Sequence, residues 1–149
     1  MYGDERDAER ARLLRELWAL AVAEPAVKVR APSDVAAALI DWAEYEQETF
    51  GVVTLNGAHE IIGVHAVTRG LVNRTVVHPR EVFRPALADN ATAVVIAHNH
   101  PSGSTEPSAE DHEVTRRLVE AGKLIGIPVL DHVIISRRGY YSWAERGDL

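Results

Sequence analysis

The spacing of apolar residues divides the chain into helical and extended segments. In residues 4–23, leucine and tryptophan recur at helical intervals between arginine and glutamate, which predicts an amphipathic helix. A second helix is predicted to start with Ser33 as its N-cap, because Val35, Leu39 and Trp42 follow at positions that share one helical face. The N-terminal part of the chain is therefore expected to be helical.

Extended segments dominate the remainder. The runs TFGVVTL and EIIGVHAVT flank Asn56–Gly57, which predicts a β-hairpin, and a further β-like run spans residues 71–77. The continuous apolar run ATAVVIA is typical of a strand covered on both faces. A helix is then predicted from Ser108, and VLDHVIIS predicts another strand. This mixture predicts an α/β or α+β fold, with helices packed on a sheet.

Composition narrows the chemistry. The 149 residues are enough for one domain and include no cysteine, so disulfides and thiolate zinc sites are excluded. Any bound metal must use His, Asp or Glu. The net charge of -6 does not suggest binding to nucleic acid through phosphate contacts. The charged N-terminus and the lack of a long apolar run lead us to expect a soluble, cytoplasmic protein without membrane contact.

The stretch IAHNHPSGSTEPSAED carries the most specific chemistry. His98 and His100 end a predicted strand at positions i and i+2, so their rings point the same way. Asp111 falls in the first turn of the next helix. Two imidazoles and a carboxylate match the three protein ligands of a catalytic zinc site, which keeps one position open. Ser108 can offer a hydroxyl to a developing oxyanion, whereas a general base would have to come from elsewhere in the chain.

Simpler interpretations exist for each of these residues. Asp111 stands three residues after an N-cap serine and could be a capping-box carboxylate, and the histidines could be polar loop residues. The full pattern His-x-His-Pro-x6-Ser-x-x-Asp would arise by chance in roughly one chain in 10^5, which favours a metal site. Iron and manganese remain alternatives to zinc. Asp131 and His132 face opposite ways on their strand, with either a structural role or a role in orienting a ligand.

The same stretch resembles the JAMM (MPN+) metalloprotease motif in the form found in the bacterial RadC family. The similarity runs from Thr75 to Ser136 and resumes in YYSWAERG, and it covers residues 33–149 in all. We therefore divide the chain into an N-terminal helix and linker, residues 1–32, and a RadC-like JAMM/MPN domain, residues 33–149. The resemblance implies a cytidine-deaminase-like mixed sheet flanked by helices. Deaminase chemistry itself would require cysteine ligands that this chain lacks.

The resemblance also implies a complete active site. It implies one zinc ion per chain, held by His98, His100 and Asp111 with water as the fourth ligand. It implies that Ser108 helps to stabilise the tetrahedral intermediate. The implied activity is that of a zinc-dependent hydrolase of the metallopeptidase or isopeptidase type, acting on a peptide or protein substrate that the sequence does not identify.

A glutamate just before the first core strand supplies the base in this family. ETFGVVTL matches that pattern, which implies that Glu48 is the base, and Glu46 and Glu44 are close enough to be rivals. Both Glu48 and Ser108 are therefore expected to act in catalysis.

Two other functions remain open: a binding module of the same fold without catalysis, and a role in DNA repair or recombination. Full-length RadC proteins carry an N-terminal helix-hairpin-helix region, which we expect to be lacking here because only residues 1–32 precede the domain and they are not strongly basic. Nucleic acid binding is therefore doubtful. The leucine and tryptophan stripe of the first helix is expected to pack on the domain, with a homodimer contact as the alternative.

Overall fold

A computed structural model describes residues 2–23, 26–70 and 77–149 of the chain. Within these residues, five strands form one mixed sheet in the order β2-β1-β3-β4-β5. The strands are β1 (Thr49–Leu55), β2 (Ile61–Arg69), β3 (Ala93–Asn99), β4 (Val129–Ser136) and β5 (Gly139–Ser142). The helices are α1 (Tyr2–Ala23), α2 (Pro32–Ala38), α3 (Pro79–Ala88), α4 (Ala109–Ile125) and α5 (Trp143–Arg146), and a 3-10 helix covers Ile40–Glu44. The predicted mixed fold is confirmed.

The central strand β3 pairs antiparallel with β1 and parallel with β4. Every residue of β3 is buried, as its unbroken apolar run predicts. Apolar residues from α3 and α4 cover one face of the sheet, and α2 and the 3-10 helix cover the other. The end of β3 therefore opens between two packed layers, close to the start of α4.

The hairpin predicted at Asn56–Gly57 is confirmed, since β1 and β2 pair antiparallel on either side of it. Its loop comprises residues 56–60 and is organised by one side chain. The Asn56 carboxamide oxygen accepts hydrogen bonds from the backbone N–H groups of Ala58, at 2.9 Å, and Glu60, at 3.0 Å. The Asn56 side chain thus forms an Asx turn, which bonds the backbone two residues further along the chain.

The predicted start of α2 is wrong by two residues. The N-cap is Ala31, the helix begins at Pro32, and Ser33 lies inside its first turn. Proline suits the first helical position because that residue's N–H has no partner within the helix. The Asp34 carboxylate accepts hydrogen bonds from the backbone N–H groups of Arg30 and Ala31, which takes over the capping role expected of the serine.

The expectation that helix α1 packs on the domain is wrong. The apolar side chains of its predicted stripe are between 48 and 73% exposed: Leu13, Leu14, Leu17 and Trp18. The homodimer contact stays a prediction. In the part of the chain that the structure describes, α1 included, no helix is long and apolar enough to cross a bilayer. Apart from Val77, the predicted strand at residues 71–77 lies outside the described residues.

Candidate metal centre

The two histidines of the motif lie close together at the end of strand β3. His98 is completely buried and lies opposite Phe50 of β1, and the backbone N–H of His100 donates to the carbonyl oxygen of Ile135 at 3.0 Å. That bond continues the pairing with β4 one residue past the end of β3. The Nε2 atoms of His98 and His100 lie 2.9 Å apart, so the two rings converge as their spacing predicts.

The first turn of α4 brings Asp111 to the same point. Ser108 and Asp111 form a reciprocal capping box: the serine hydroxyl accepts from the Asp111 N–H at 3.0 Å, and the serine N–H donates to Asp111 Oδ2 at 2.9 Å. The same carboxylate faces both imidazoles, with Oδ1 3.4 Å from His98 Nε2 and Oδ2 3.4 Å from His100 Nε2. The capping role therefore holds the carboxylate at the histidines.

Hydrogen bonding defines which nitrogen of His100 faces the centre. His100 Nδ1 lies 2.9 Å from the carbonyl oxygen of Ser104. A carbonyl can only accept, so Nδ1 carries the hydrogen and Nε2 of the neutral ring presents a lone pair. This lone pair faces His98 Nε2 at 2.9 Å, so either a hydrogen or a metal ion between the two nitrogens would satisfy the contact.

The buried carboxyl group of Asp111 is ionised. Burial alone would raise the pKa of its carboxyl, but the interactions of its two oxygens with the His100 and His98 imidazoles outweigh burial. Together with the backbone N–H of Ser108, they hold the pKa of Asp111 well below its ordinary value. The carboxylate therefore stays ionised at neutral pH, as a metal ligand must.

The donor set fits a zinc ion. Two atoms that bind a tetrahedral zinc at about 2.0–2.1 Å stand roughly 3.3 Å apart. The two Nε2 atoms lie 2.9 Å apart, and each lies 3.4 Å from one oxygen of Asp111, which is Oδ1 for His98 and Oδ2 for His100. Two imidazole nitrogens and one carboxylate also match the ligand types that zinc accepts. The residue types and the separations are thus compatible with a bound divalent ion.

A second carboxylate lies beside the three predicted ligands. Glu48 Oε1 lies 3.7 Å from His100 Nε2, and donor atoms of Glu48, His98 and His100 fall within 4.8 Å of one another. Its rival Glu46 is exposed and lines a shallow surface cavity with Tyr45 and Arg69. The structure thus brings Glu48 to the histidines, whereas its role as the base stays a prediction.

Sequence reasoning missed Asn99, which holds Glu48 in place. This buried side chain accepts a hydrogen bond from the Thr49 N–H at 2.6 Å and donates one to the carbonyl oxygen of Gln47 at 3.1 Å. It therefore clamps the backbone on both sides of Glu48 to the end of β3. The available signal was its position between His98 and His100, where strand alternation turns it to the opposite face.

The sheet, the histidine pair and the capping aspartate define the class of domain first: a JAB/MPN-type fold, as the motif implies. The chain matches the RadC-like JAB domain over residues 29–148 and therefore belongs to the RadC family. It is 45% identical over 120 residues to a UPF0758 protein of Alkaliphilus metalliredigens, covering 80% of this chain and 52% of the relative.

Two further relatives show the same extent of similarity. The chain is 52% identical over 100 residues to the UPF0758 protein STH371 of Symbiobacterium thermophilum, covering 67% of this chain and 43% of that protein. It is 46% identical over 104 residues to a UPF0758 protein of Thermotoga maritima, covering 70% and 47%. The chain spans about half the length of these relatives, and their names state no activity.

Proposed function

We propose that this protein is a zinc-dependent hydrolase that cleaves peptide or isopeptide bonds. The observation that carries the proposal is the convergence of His98, His100 and Asp111 on one point with the Glu48 carboxylate beside them. Three ligands with an adjacent carboxylate are the arrangement of a catalytic site with an open coordination position. Membership of the JAB-type family supports the same reaction class.

When bound, zinc would supply an acidified water molecule and polarise the scissile carbonyl group. The Glu48 carboxylate is suited to take the proton of that water and pass it to the leaving amine, because it lies at the histidines and is 24% exposed. The Ser108 hydroxyl accepts from the Asp111 N–H, which leaves its own hydrogen to be donated to the substrate oxyanion.

The candidate ligands differ in how far they are buried. His98 and Asp111 are 0 and 1% exposed, whereas His100 is 12% exposed and Glu48 more so. The ligands are therefore shielded from water on one side, and the base and one ligand border the solvent on the other. Charges at the two buried ligands act in a low dielectric, which strengthens their interactions with a bound ion.

The test is turnover of fluorogenic peptide and isopeptide libraries by the zinc-loaded chain. Removal of a general base typically costs 10^2- to 10^4-fold, so we expect Glu48→Gln to lose about that much activity. Zinc content should be unchanged in that variant. Glu46→Gln is the matched control, because it makes the same change two residues away and should keep parental turnover. Equal turnover of the parent and Glu48→Gln would contradict the mechanism.

The two other functions predict different outcomes. Retention of zinc without turnover of any library member would indicate a binding module of the same fold. Tight binding of DNA at low salt that weakens steeply with added salt would indicate a role on nucleic acid, because such a slope reports phosphate contacts. We expect neither result, since the net charge is -6 and the donor set is complete.

A further inference from the structure

A third histidine lies directly behind the candidate metal centre. His132 of β4 is completely buried, and its Nε2 atom lies 2.7 Å from His98 Nδ1, the nitrogen that faces away from the centre. The His132 ring stacks on Trp143 with 4.2 Å between centroids and 9° between planes, and Phe50 packs against it edge-on. These contacts fix the plane of the His132 ring and hence the direction of its two nitrogens.

His98, His132, Thr115 and Asp111 form a series of hydrogen bonds, and its hydrogens can be assigned starting from the Asp111 end. The Thr115 hydroxyl donates to the backbone carbonyl oxygen of Asp111 at 2.7 Å, because a carbonyl cannot donate. A hydroxyl has one hydrogen, so Thr115 must accept at its 2.6 Å contact with His132 Nδ1. His132 Nδ1 therefore carries a hydrogen, and Nε2 of the neutral ring accepts from His98 Nδ1–H.

We propose that His132 and Thr115 are positioning residues that fix the tautomer of His98 for metal binding. With its hydrogen committed to His132, His98 presents the Nε2 lone pair to the point that His100 and Asp111 also face. Reversal of this hydrogen bond would place a hydrogen on Nε2 of neutral His98 and block it as a ligand. The inference rests on the proposed metal at this site but not on hydrolysis.

The hydrogen-bonded chain also joins two candidate ligands. It starts at the side chain of His98, passes through His132 and Thr115, and ends at the backbone of Asp111. Metal-bound histidines usually donate their second N–H to a carboxylate, a carbonyl or water. Here an imidazole takes that place, and it ties the end of β3 to the first turn of α4.

The direction of the hydrogen bond can be measured by NMR on the full chain with 15N-labelled histidines. We expect one hydrogen covalently attached to His98 Nδ1, with scalar coupling across the hydrogen bond to His132 Nε2. The same assignment should hold with and without zinc, because Thr115 orders the hydrogens independently of the metal. A hydrogen attached to His132 Nε2 instead would overturn the proposal.

Two matched pairs of variants test the consequence for zinc affinity, measured by competition with a chromophoric chelator. His132→Leu removes the acceptor and keeps an apolar volume, whereas His132→Gln keeps an acceptor. Thr115→Val removes the hydroxyl at nearly constant shape, whereas Thr115→Ser keeps it. Loss of an outer hydrogen-bond partner typically costs 10- to 100-fold in metal affinity, so we expect about that loss in His132→Leu and a smaller loss in Thr115→Val. His132→Gln and Thr115→Ser should bind zinc with nearly the parental affinity.

The outcomes separate the positioning role from the metal site itself. Thermal unfolding checks that the His132→Leu variant is folded. A folded His132→Leu variant that binds zinc as tightly as the parent would overturn the positioning role. If Leu and Gln, or Val and Ser, lost affinity equally, packing rather than hydrogen bonding would explain the effect, which would also overturn it. A parent chain that takes up no zinc would overturn the metal site, while NMR would still report the direction of the hydrogen bond.

Discussion

Two histidine–carboxylate groups lie on opposite sides of strand β1, and they differ in what they can bind. The first, which we call the β3–α4 cluster, comprises His98, His100 and Asp111. The second, which we call the β2–α3 pair, comprises His65 on β2 and Asp89 at the end of α3. Both bring imidazole to carboxylate across two elements of the fold, yet only the geometry of the first leaves room for an ion.

The separations explain the difference. In the β2–α3 pair, His65 Nε2 lies 2.6 Å from Asp89 Oδ2, which is direct hydrogen-bonding distance, and the Thr54 hydroxyl donates to the same oxygen at 2.7 Å. In the β3–α4 cluster, each nitrogen–carboxylate separation is 3.4 Å, and a second imidazole is present. A close contact satisfied by a hydrogen is typical of a structural pair, whereas the longer nitrogen–carboxylate separations of the β3–α4 cluster suit the metal site that we propose.

We expect the largest difference between the two groups in zinc affinity when one carboxylate is removed from each. Loss of a hydrogen-bond partner of a metal ligand costs up to about 100-fold in metal affinity. We expect Asp111→Ala to weaken zinc binding by more than that, because the ligand itself is lost. Asp89→Ala, the matched change in the β2–α3 pair, should leave zinc affinity at the parental value. Chelator competition measures both. Equal affinities in the two variants would mean that the β3–α4 cluster is not the binding site.

The β3–α4 cluster also has a tethered carboxylate beside it. Asn99→Ala removes the clamp on the backbone around Glu48, and a displacement of about 1 Å can cost on the order of 10^2 in rate. We therefore expect turnover to fall by about 10- to 100-fold while zinc affinity stays near the parental value.

Asn99→Asp is the control for this change, because it keeps the acceptor for the Thr49 N–H and should retain more activity than the alanine variant. Steady-state kinetics and chelator competition on the same preparations separate the two effects. Parental turnover in the alanine variant would show that the Asn99 contacts do not position Glu48.

The β2–α3 pair should affect stability, by a smaller amount and with a defined pH dependence. Hydrogen bonds from Thr54, and then from His65, hold the pKa of Asp89 below its ordinary value in the folded chain. A lowered pKa means that the ionised group stabilises the fold above the unfolded pKa, near 4, and that this contribution disappears as pH falls through the folded pKa.

We expect Asp89→Asn to lower the free energy of unfolding by about 1 kcal/mol at pH 7, the usual net worth of such hydrogen bonds at a partly exposed site. The difference from the parent should shrink below about pH 4. Chemical denaturation at pH 7 and pH 3 measures it, with zinc content as a check that the β3–α4 cluster is intact. A difference that does not change with pH would assign the effect to packing.

Local pattern was sufficient for the parts of the site that are close in sequence. Strand alternation placed His98 and His100 on one face, and the capping pattern placed Asp111 at the start of a helix. The apolar run before His98 predicted a buried central strand. Each of these inferences depends on intervals of a few residues, where backbone geometry alone decides the side-chain direction.

The parts that sequence reasoning missed or left open depend on contacts between distant segments. His132 reaches His98 because β3 and β4 pair in parallel with Ile96 opposite His132, a register that no local pattern specifies. Asn99 reaches the backbone at Gln47 and Thr49 across the β1–β3 pairing. In the same way, exposure of the α1 stripe depends on tertiary packing, because an amphipathic pattern predicts an apolar face but does not identify what covers it.

The most direct test of zinc binding by the β3–α4 cluster is elemental analysis of the full chain, purified without a metal-affinity tag and dialysed against zinc. We expect about one zinc ion per chain in the parent and in Asp89→Ala, in keeping with a single three-ligand site. We expect none in His98→Ala or Asp111→Ala. A parent chain that retains no zinc, or variants of the β3–α4 cluster that retain as much as the parent, would contradict this expectation.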